Sequence, residues 1–284
     1  MKAVILSAGQ GKRLLPLTAR APKCILPING QSLLEWQLDE LAKCGIEQVT
    51  VVVGYEAQQV RQLLLQRNGR QQVRTLYNPA YAVTDNLVSC WMARGEMEED
   101  FVLLNGDTLF EAPIMQRLLE APARPVTLVT DHKSNYDDDD MKVSLDGGRL
   151  VKIGKDLAAE TVDGESIGML LFRGQGPTLF RAAIEETLRD PSARKKWYLS
   201  VIDEMAQSMP VWTCAVNGHQ WCEVDYLADL RQAEEVVKIF ANGSGLNGGA
   251  AITAASVCPV TEYAQYTAST GRGPVLNNGT RGLG

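Results

Sequence analysis

Two short stretches near the amino terminus hold the residue types best suited to handling a polyphosphate. They are Leu6-Ser7-Ala8-Gly9-Gln10-Gly11-Lys12-Arg13-Leu14 and Pro22-Lys23-Cys24-Ile25-Leu26-Pro27. Gly9 and Gly11 let the chain turn sharply and bring backbone N–H groups close to a ligand. Arg13 and Lys23 add two fixed cations, which can offset the charge that builds up on a triphosphate when one of its bonds breaks. An ordinary tight turn is the competing reading of Gly-x-Gly alone. Further on, Gly106-Asp107 ends the apolar run that starts at Phe101. A carboxylate at the carboxyl tip of a buried strand fits Mg²⁺, which prefers one or two carboxylates plus phosphate oxygens; a turn aspartate is the alternative. The two histidines, His132 and His219, have no partner at metal-ligand spacing, which removes most histidine-based hydrolase and metalloprotease mechanisms. Carboxylates, lysines and backbone must carry any chemistry.

The elements that position these residues follow from hydrophobic spacing. Lys2 to Leu6 is an apolar run of strand length. Ser32-Leu33-Leu34-Glu35 is a capping box opening a helix with Leu34, Leu38, Leu41 and Ala42 on one side, and Gly45 is placed to end it. Gln48 to Val53 reads as a buried strand closed by Gly54-Tyr55, and Glu56 to Gln66 returns to helical spacing. Strand, helix, strand, helix predicts a parallel sheet, whose ligands bind outside the carboxyl ends of its strands. The glycine loop and Gly54 both fall there. Val73–Tyr77, Phe101–Leu104, Pro125–Thr130, Leu150–Ile153 and Leu170–Phe172 read as further strands, with helices over Asn86–Ala93 and Leu199–Gln207.

Taken together, Gly-x-Gly-x-Arg-Leu, a short spacer and Pro-Lys-x-x-x-Pro resemble the signature of the nucleotidyltransferase superfamily, which activates sugar or alcohol phosphates with a nucleoside triphosphate. The resemblance runs from Met1 to about Ile239. It implies that Leu6, Ala8, Gly9, Gln10 and Gly11, with Gly54 and Gly106, surround the nucleotide, and that Lys23 and Arg13 act in catalysis. It also implies that Asp107 and Asp225 hold the metal, a plain helix N-terminal aspartate being the alternative for Asp225, and strand alternation puts Glu223 on the same face as Asp225, in support. Asn78-Pro79 followed by Asn86-x-x-Ser89 resembles the base-contacting segment of bacterial cytidylyltransferases acting on phosphocholine and related alcohol phosphates; helix capping by Asn86 and Ser89 is the alternative.

Three softer segments resemble the acceptor side of those enzymes. The acidic run Asp137-Asp138-Asp139-Asp140 before Met141-Lys142-Val143 is either a solvated loop or part of a pocket for a cationic head group, with Asp137 and Asp138 as candidates. Lys155 is either a surface lysine or the group that meets the acceptor's phosphate. Glu165, in Gly164-Glu165-x-x-Gly168, binds an acceptor hydroxyl or ammonium or satisfies a backbone turn. Trp197, Tyr198 and Trp212 are core residues or the aromatic cage that a choline-like group needs.

Bulk properties bound these readings. The 284 residues carry a formal charge of -6, which argues against a nucleic-acid footprint and gives no general attraction to anionic membranes. No stretch approaches the roughly 20 apolar residues of a membrane span, and Gly9 to Arg13 interrupt any signal-peptide layout, so the cytoplasm is expected. Six scattered cysteines without Cys-x-x-Cys predict reduced, mostly buried thiols. From residue 242 to 284 the chain has nine glycines and only three charges, without periodicity, and reads as a linker or truncated second module.

The resulting expectation is an α/β, Rossmann-like nucleotidyltransferase fold over residues 1–241, with a mixed, mostly parallel central sheet flanked by helices. Its function would be Mg²⁺-dependent transfer of CMP from CTP to a small phosphorylated or phosphonylated alcohol or amine, of the phosphocholine or 2-aminoethylphosphonate type. A sugar-1-phosphate nucleotidyltransferase using dTTP, UTP or GTP is the nearest alternative, and a non-catalytic nucleotide-sensing subunit is another. A homo-oligomer, or a second domain fused after residue 242, stays open.

Overall fold

The strands buried on both faces are those with continuous apolar sequence. In Lys2–Ser7 (β1), Ala3 and Ile5 pack on one side of the sheet and Val4 and Leu6 on the other, all shielded from water. The protein is described here from a computed structural model covering residues 1–242. The tail reading over 243–284 lies outside the described residues; Asn242 itself closes the last helix. After β1 come β2 (Pro27–Ile28), β3 (Gln31–Ser32), α1 (Leu33–Lys43), β4 (Gln48–Val53), α2 (Ala57–Gln66), β5 (Gln72–Tyr77) and α3 (Asn86–Met92). The chain continues through β6 (Phe101–Asn105), β7 (Thr108–Phe110), α4 (Ala112–Glu120), β8 (Val126–Asp131), β9 (Lys142–Asp146), β10 (Arg149–Gly154) and β11 (Gly164–Phe172). The described residues close with α5 (Gly176–Thr187), α6 (Tyr198–Ser208), β12 (Trp212–Ala215), β13 (Trp221–Glu223) and α7 (Leu227–Asn242).

The main sheet has the order β5-β4-β1-β6-β11-β8-β12-β10-β9. From β5 to β6 all pairings are parallel, as the alternation of strands and helices predicts. From β6 onward the pairings are antiparallel except that of β8 with β12. β11 also pairs with β9, so the second half of the sheet closes into a small barrel. The expectation of a mostly parallel sheet is therefore corrected: the fold is α/β with helices flanking a mixed sheet, parallel only in its first half. The physical reason lies in β11. Its register shifts between Ser166 and Leu170 around Gly168, at φ +70, a conformation that costs glycine little and strains other residues. That irregularity splits the strand. Met169–Phe172 pairs with β6, while Gly164–Glu165 pairs with β9.

Helices cover both faces. α1, α2 and α4 pack on the Ala3/Ile5 side, and α3, α5 and α6 on the Val4/Leu6 side. The capping box of α1 forms as its sequence predicts: Ser32 Oγ accepts from the Glu35 N–H, and a Glu35 oxygen accepts from the Ser32 N–H at 2.9 Å. Phe101, Phe172 and Phe180 stack with centroids 4.7 and 4.4 Å apart, tying α5 to the β6–β11 junction by about 0.5–1.5 kcal/mol per pair beyond area burial. A third apolar cluster joins Leu14, Ile28, Leu33, Leu109 and Val224 to α7. This cluster fastens α7 beside the first loop. Cys24, Cys90 and Cys222 are buried free thiols and Cys44 and Cys214 are partly buried, in line with the cysteine reading; Cys258 lies outside the described residues.

Candidate active site

The loop after β1 runs over the carboxyl ends of the parallel strands. Gly11 has φ +74, and a Cβ there would lie 2.8 Å from Lys23 Cβ, so only glycine lets the loop sit against Lys23. Gly9 instead faces open space. A hollow of about 260 Å³ lies beside this loop, bordered by Leu6, Ala8, Gly9, Gly11, Asn86, Ser89 and Gly106, and also by Lys23, Asp107 and Trp197. Two residues expected to surround a nucleotide do not border it. Gln10 turns its amide to the Thr18 carbonyl at 3.2 Å and braces the loop, while Gly54 packs tightly against the Ala8 carbonyl and the Tyr81 ring. Both shape the loop from behind.

Lys23 gathers the two candidate metal ligands. Its Nζ lies 2.8 Å from Asp107 Oδ2 and 2.6 Å from Asp225 Oδ1. Burial alone would lower the Lys23 pKa, but the two carboxylates outweigh it and the net shift is upward. Arg13 reaches Asp225 at 3.1 Å and Asp139 at 3.0 Å from the more exposed side. It stands away from the hollow's wall, and its guanidinium lies over the Tyr226 ring, 5.2 Å from the centroid. Asp229 accepts the N–H groups of Asp225 and Tyr226 at 2.8 and 2.7 Å and so fixes the backbone that carries Asp225.

Asp107 Oδ1 is buried and has no hydrogen-bond partner. That orphaned oxygen, on a carboxylate that meets Asp225 across Lys23, fits a Mg²⁺ that completes its shell with phosphate oxygens and water. Among the described residues no group of three or more His, Cys, Asp or Glu side chains could hold a metal, so the protein's share would be these two. Glu223 is pushed up to about 8 by burial and then by the charges of Asp107 and Asp225. Burial and the two aspartates thus favour its protonated, uncharged form.

On the other wall, neither Asn86 nor Ser89 caps α3, whose N-cap is Asp85 without a side-chain cap bond. Asn86 Oδ1 accepts from the Tyr198 N–H at 2.9 Å, the Tyr198 hydroxyl donates to Asn105 Oδ1 at 3.1 Å, and Asn78 Nδ2 donates to Ser89 Oγ at 3.1 Å. The hydroxyl of the wholly buried Tyr198 therefore links this wall to the strand end that carries Asp107. Nothing in the sequence marked Tyr198 for that link over an ordinary core aromatic.

A second hollow of about 360 Å³ adjoins the carboxylates, with Asp131, Asp137, Asp139, Asp140, Glu165 and Lys133 among its walls. Asp137 and Glu165 lie where the acceptor reading needs them. Asp138 does not: it borders a different hollow, shared with His132, Tyr136 and Lys155. The member of the run with most partners is Asp139, which accepts from Arg13, Lys155 (3.1 Å) and the Tyr226 hydroxyl (2.6 Å) and is held down to about 2, chiefly by Tyr226 and then Lys155. Glu165 and Asp140 already share a cation, Lys133, at 3.0 and 2.7 Å. Lys133 stands in no motif, so sequence reading passed over it. The Lys155 ammonium lies 4.6 Å from the centroid of Trp197, over its face. Trp212 forms no part of a cage; it begins β12 opposite Thr127, at the end of the strand remote from Asp131, and Arg124 covers its ring. The aromatics that do border the acidic hollow are Trp221 and Tyr226.

Known proteins share the sequence pattern and the fold of this chain. The family model described as MobA-like NTP transferase domain matches residues 3–205. Over 244 residues the chain is 29% identical to the CMP-5'-(3-aminopropyl)phosphonate synthase of Streptomyces rubellomurinus, covering 82% of this chain but only 38% of that relative's length. It is 24% identical over 240 residues to the choline-phosphate cytidylyltransferase of Streptococcus pneumoniae, covering 84% of this chain and 99% of that protein. The solved structure of the inositol-1-phosphate CTP transferase from T. maritima superposes with a TM-score of 0.73 at 22% identity, over 85% of this chain and 96% of that one, which shows a shared fold.

Proposed function

The chain belongs to the MobA-like NTP transferase domain family and is a nucleotidyltransferase, and on that premise we propose that it transfers CMP from CTP to a small acceptor carrying a phosphate or phosphonate at one end and an amine at the other. The convergence of Lys23, Asp107 and Asp225 between the two hollows carries this reading. One hollow is walled by backbone and amides, as a nucleotide needs. The other is walled by carboxylates, as a cationic head group needs. The named activities of the phosphonate synthase and the choline-phosphate enzyme support the same pairing of CTP with a charged small acceptor.

In this reading an acceptor oxygen attacks the α-phosphorus in line, the bond to the bridging oxygen breaks, and pyrophosphate leaves. That nucleophile is already ionised at neutral pH, so no general base is required. The glycine loop offers its N–H groups to the phosphates, and Lys23 and Arg13 face the charge that develops as the bond breaks. Asp107 and Asp225 would hold Mg²⁺, whose contribution when bound is to neutralise and orient the phosphate oxygens. Asn86 would face the base, and Lys155 the acceptor's anionic end. The test is pyrophosphate release from purified protein with Mg²⁺, each of four nucleotides, and phosphocholine, 2-aminoethylphosphonate, glycerol phosphate and glucose 1-phosphate. Fastest turnover with CTP and an amine-bearing acceptor is expected; preference for a sugar phosphate with another nucleotide would replace this reading.

A further inference from the structure

One fully buried polar residue behind the site is placed at neither hollow. Gln37 lies in the apolar stripe of α1 between Leu34 and Leu41 and is inaccessible to water (0% exposed). Its single amide nitrogen donates to two carbonyls at 2.8 Å each, those of Asn105 and Thr108. These are the residues on either side of Gly106-Asp107. The other end of the amide, Gln37 Oε1, is buried with no hydrogen-bond partner, a costly arrangement that leucine or methionine would avoid. The residue therefore contributes through its donors.

We propose that Gln37 is a positioning residue for Asp107: its buried amide nitrogen closes the Asn105–Thr108 turn and thereby fixes where the Asp107 carboxylate meets Lys23 and Asp225. The turn has further ties: from the Gly106 N–H to the Leu6 carbonyl and from the Val224 N–H to the Asp107 carbonyl, both 3.0 Å, and at its ends from the Tyr198 hydroxyl to Asn105 Oδ1 at 3.1 Å and from Thr108 Oγ1 to the Ile167 carbonyl at 2.9 Å. Each of those holds one point. Gln37 bonds both ends from a single amide nitrogen, so without it the spacing of Asn105 and Thr108 is left to contacts that each hold one end. Glycine at 106 gives the turn no side chain with which to brace itself, because a Cβ there would strike Ser7 and the Leu6 carbonyl. The use of this geometry rests on Asp107 being a metal ligand; the geometry itself does not.

The experiment compares the full chain with its Gln37→Met and Gln37→Glu variants, and with Leu41→Ala, which weakens the same helix without touching the turn. Two quantities are read at a temperature where all are folded: the affinity for Mn²⁺ alone, from the electron paramagnetic resonance of the free ion, and the rate at which Lys23 is acetylated, by mass spectrometry. Gln37→Met should weaken Mn²⁺ binding by about tenfold, the size expected when a partner behind a metal ligand is lost, and should expose Lys23 to faster acetylation. Leu41→Ala should leave both near the parent. Gln37→Glu keeps the shape but sets oxygen against two carbonyls, and gives the same test if Gln37→Met does not fold. Parent-like values in a folded Gln37 variant, or equal losses in Leu41→Ala, would overturn the proposal. Absence of Mn²⁺ binding by the parent would remove the metal reading, and Lys23 acetylation would still decide the role of Gln37.

Discussion

The backbone N–H of Val224 donates to the carbonyl oxygen of Asp107 at 3.0 Å, so the residue before Asp225 is bonded directly to the other candidate metal ligand. The β7–β13 pairing continues this contact, with Thr108 opposite Glu223. Two carboxylates far apart in sequence thus have their separation set by backbone. Asp107→Asn and Asp225→Asn should each lower turnover by orders of magnitude while the chain stays folded. Near-normal pyrophosphate release by either variant at limiting Mg²⁺ would take that residue out of the site.

Lys23→Ala leaves Asp107 and Asp225 facing each other without their shared cation. Breaking a pair this buried costs on the order of 3 kcal/mol. The variant should therefore melt lower than the parent, and Mg²⁺ should raise its melting temperature more than it raises the parent's. Turnover should fall by about 10²–10³, the usual consequence of losing a preorganised transition-state donor. An effect confined to KM would make Lys23 a binding residue only.

The local half of this architecture is legible in the sequence. The glycine loop, the capping box at Ser32 and Glu35, and the apolar strand ending in Gly-Asp each state their structure within ten residues or so, because capping, turn and burial preferences act over that range. The barrel is not legible. Its closure depends on β11 changing partners around Gly168, and a non-local pairing leaves no mark on hydrophobic alternation. The acidic run shows the same limit: composition marks Asp137 to Asp140 as a group, but only the folded loop separates Asp139, bound to Arg13, Lys155 and Tyr226, from Asp138, turned elsewhere. Trp212 looked like a cage residue because sequence order cannot say at which end of a strand a ligand sits.

Glu165 makes stability and acceptor binding depend on pH. Burial, the largest cause, raises its pKa from 4.5 to about 7; Lys133 at 3.0 Å draws it back, and Asp140 pushes it further up. The folded chain thus keeps a proton that the unfolded chain releases, and stability falls as pH rises through the window from 4.5 to about 7 and is level above it. Glu165→Gln should lack that fall in denaturant titrations across the window. Recognition of a cation needs the ionised form, so the KM for an amine-bearing acceptor should drop as pH passes about 7, and the variant's KM should stay flat.

Nucleotide choice should follow the Asn86 amide. Its oxygen is committed to the Tyr198 N–H, which leaves the amide nitrogen as the group to meet a base in the adjoining hollow. A donor there matches the N3 acceptor of cytosine and opposes the N3–H of uracil. The kcat/KM for CTP should exceed that for UTP, and Asn86→Asp, which keeps the acceptor for Tyr198 and loses the donor, should narrow the gap. Equal values for the two nucleotides in the parent would remove the cytidylyltransferase reading.

The acceptor's head group is decided by what in the acidic hollow is already taken. A trimethylammonium group offers no N–H and needs open aromatic faces, whereas a primary ammonium needs carboxylate oxygens. Two of the nearby ring faces already carry a cation, Arg13 over Tyr226 and Lys155 over Trp197, and the Trp221 N–H donates from its ring edge to Asp131 at 2.6 Å. The carboxylates offer a built example of the other solution, since the Lys133 ammonium sits between Asp140 and Glu165 at 2.7 and 3.0 Å. A primary amine on the acceptor would make the same two contacts by taking its place. 2-Aminoethylphosphonate should therefore give a higher kcat/KM than phosphocholine, and both should exceed glycerol phosphate, which leaves desolvated carboxylates without a cation. Lys133→Ala supplies the discriminating measurement. By freeing the pair it should lower the KM for the primary amine and leave that for glycerol phosphate unchanged, whereas an equal change for both acceptors would mean that Lys133 only holds the loop between β8 and β9.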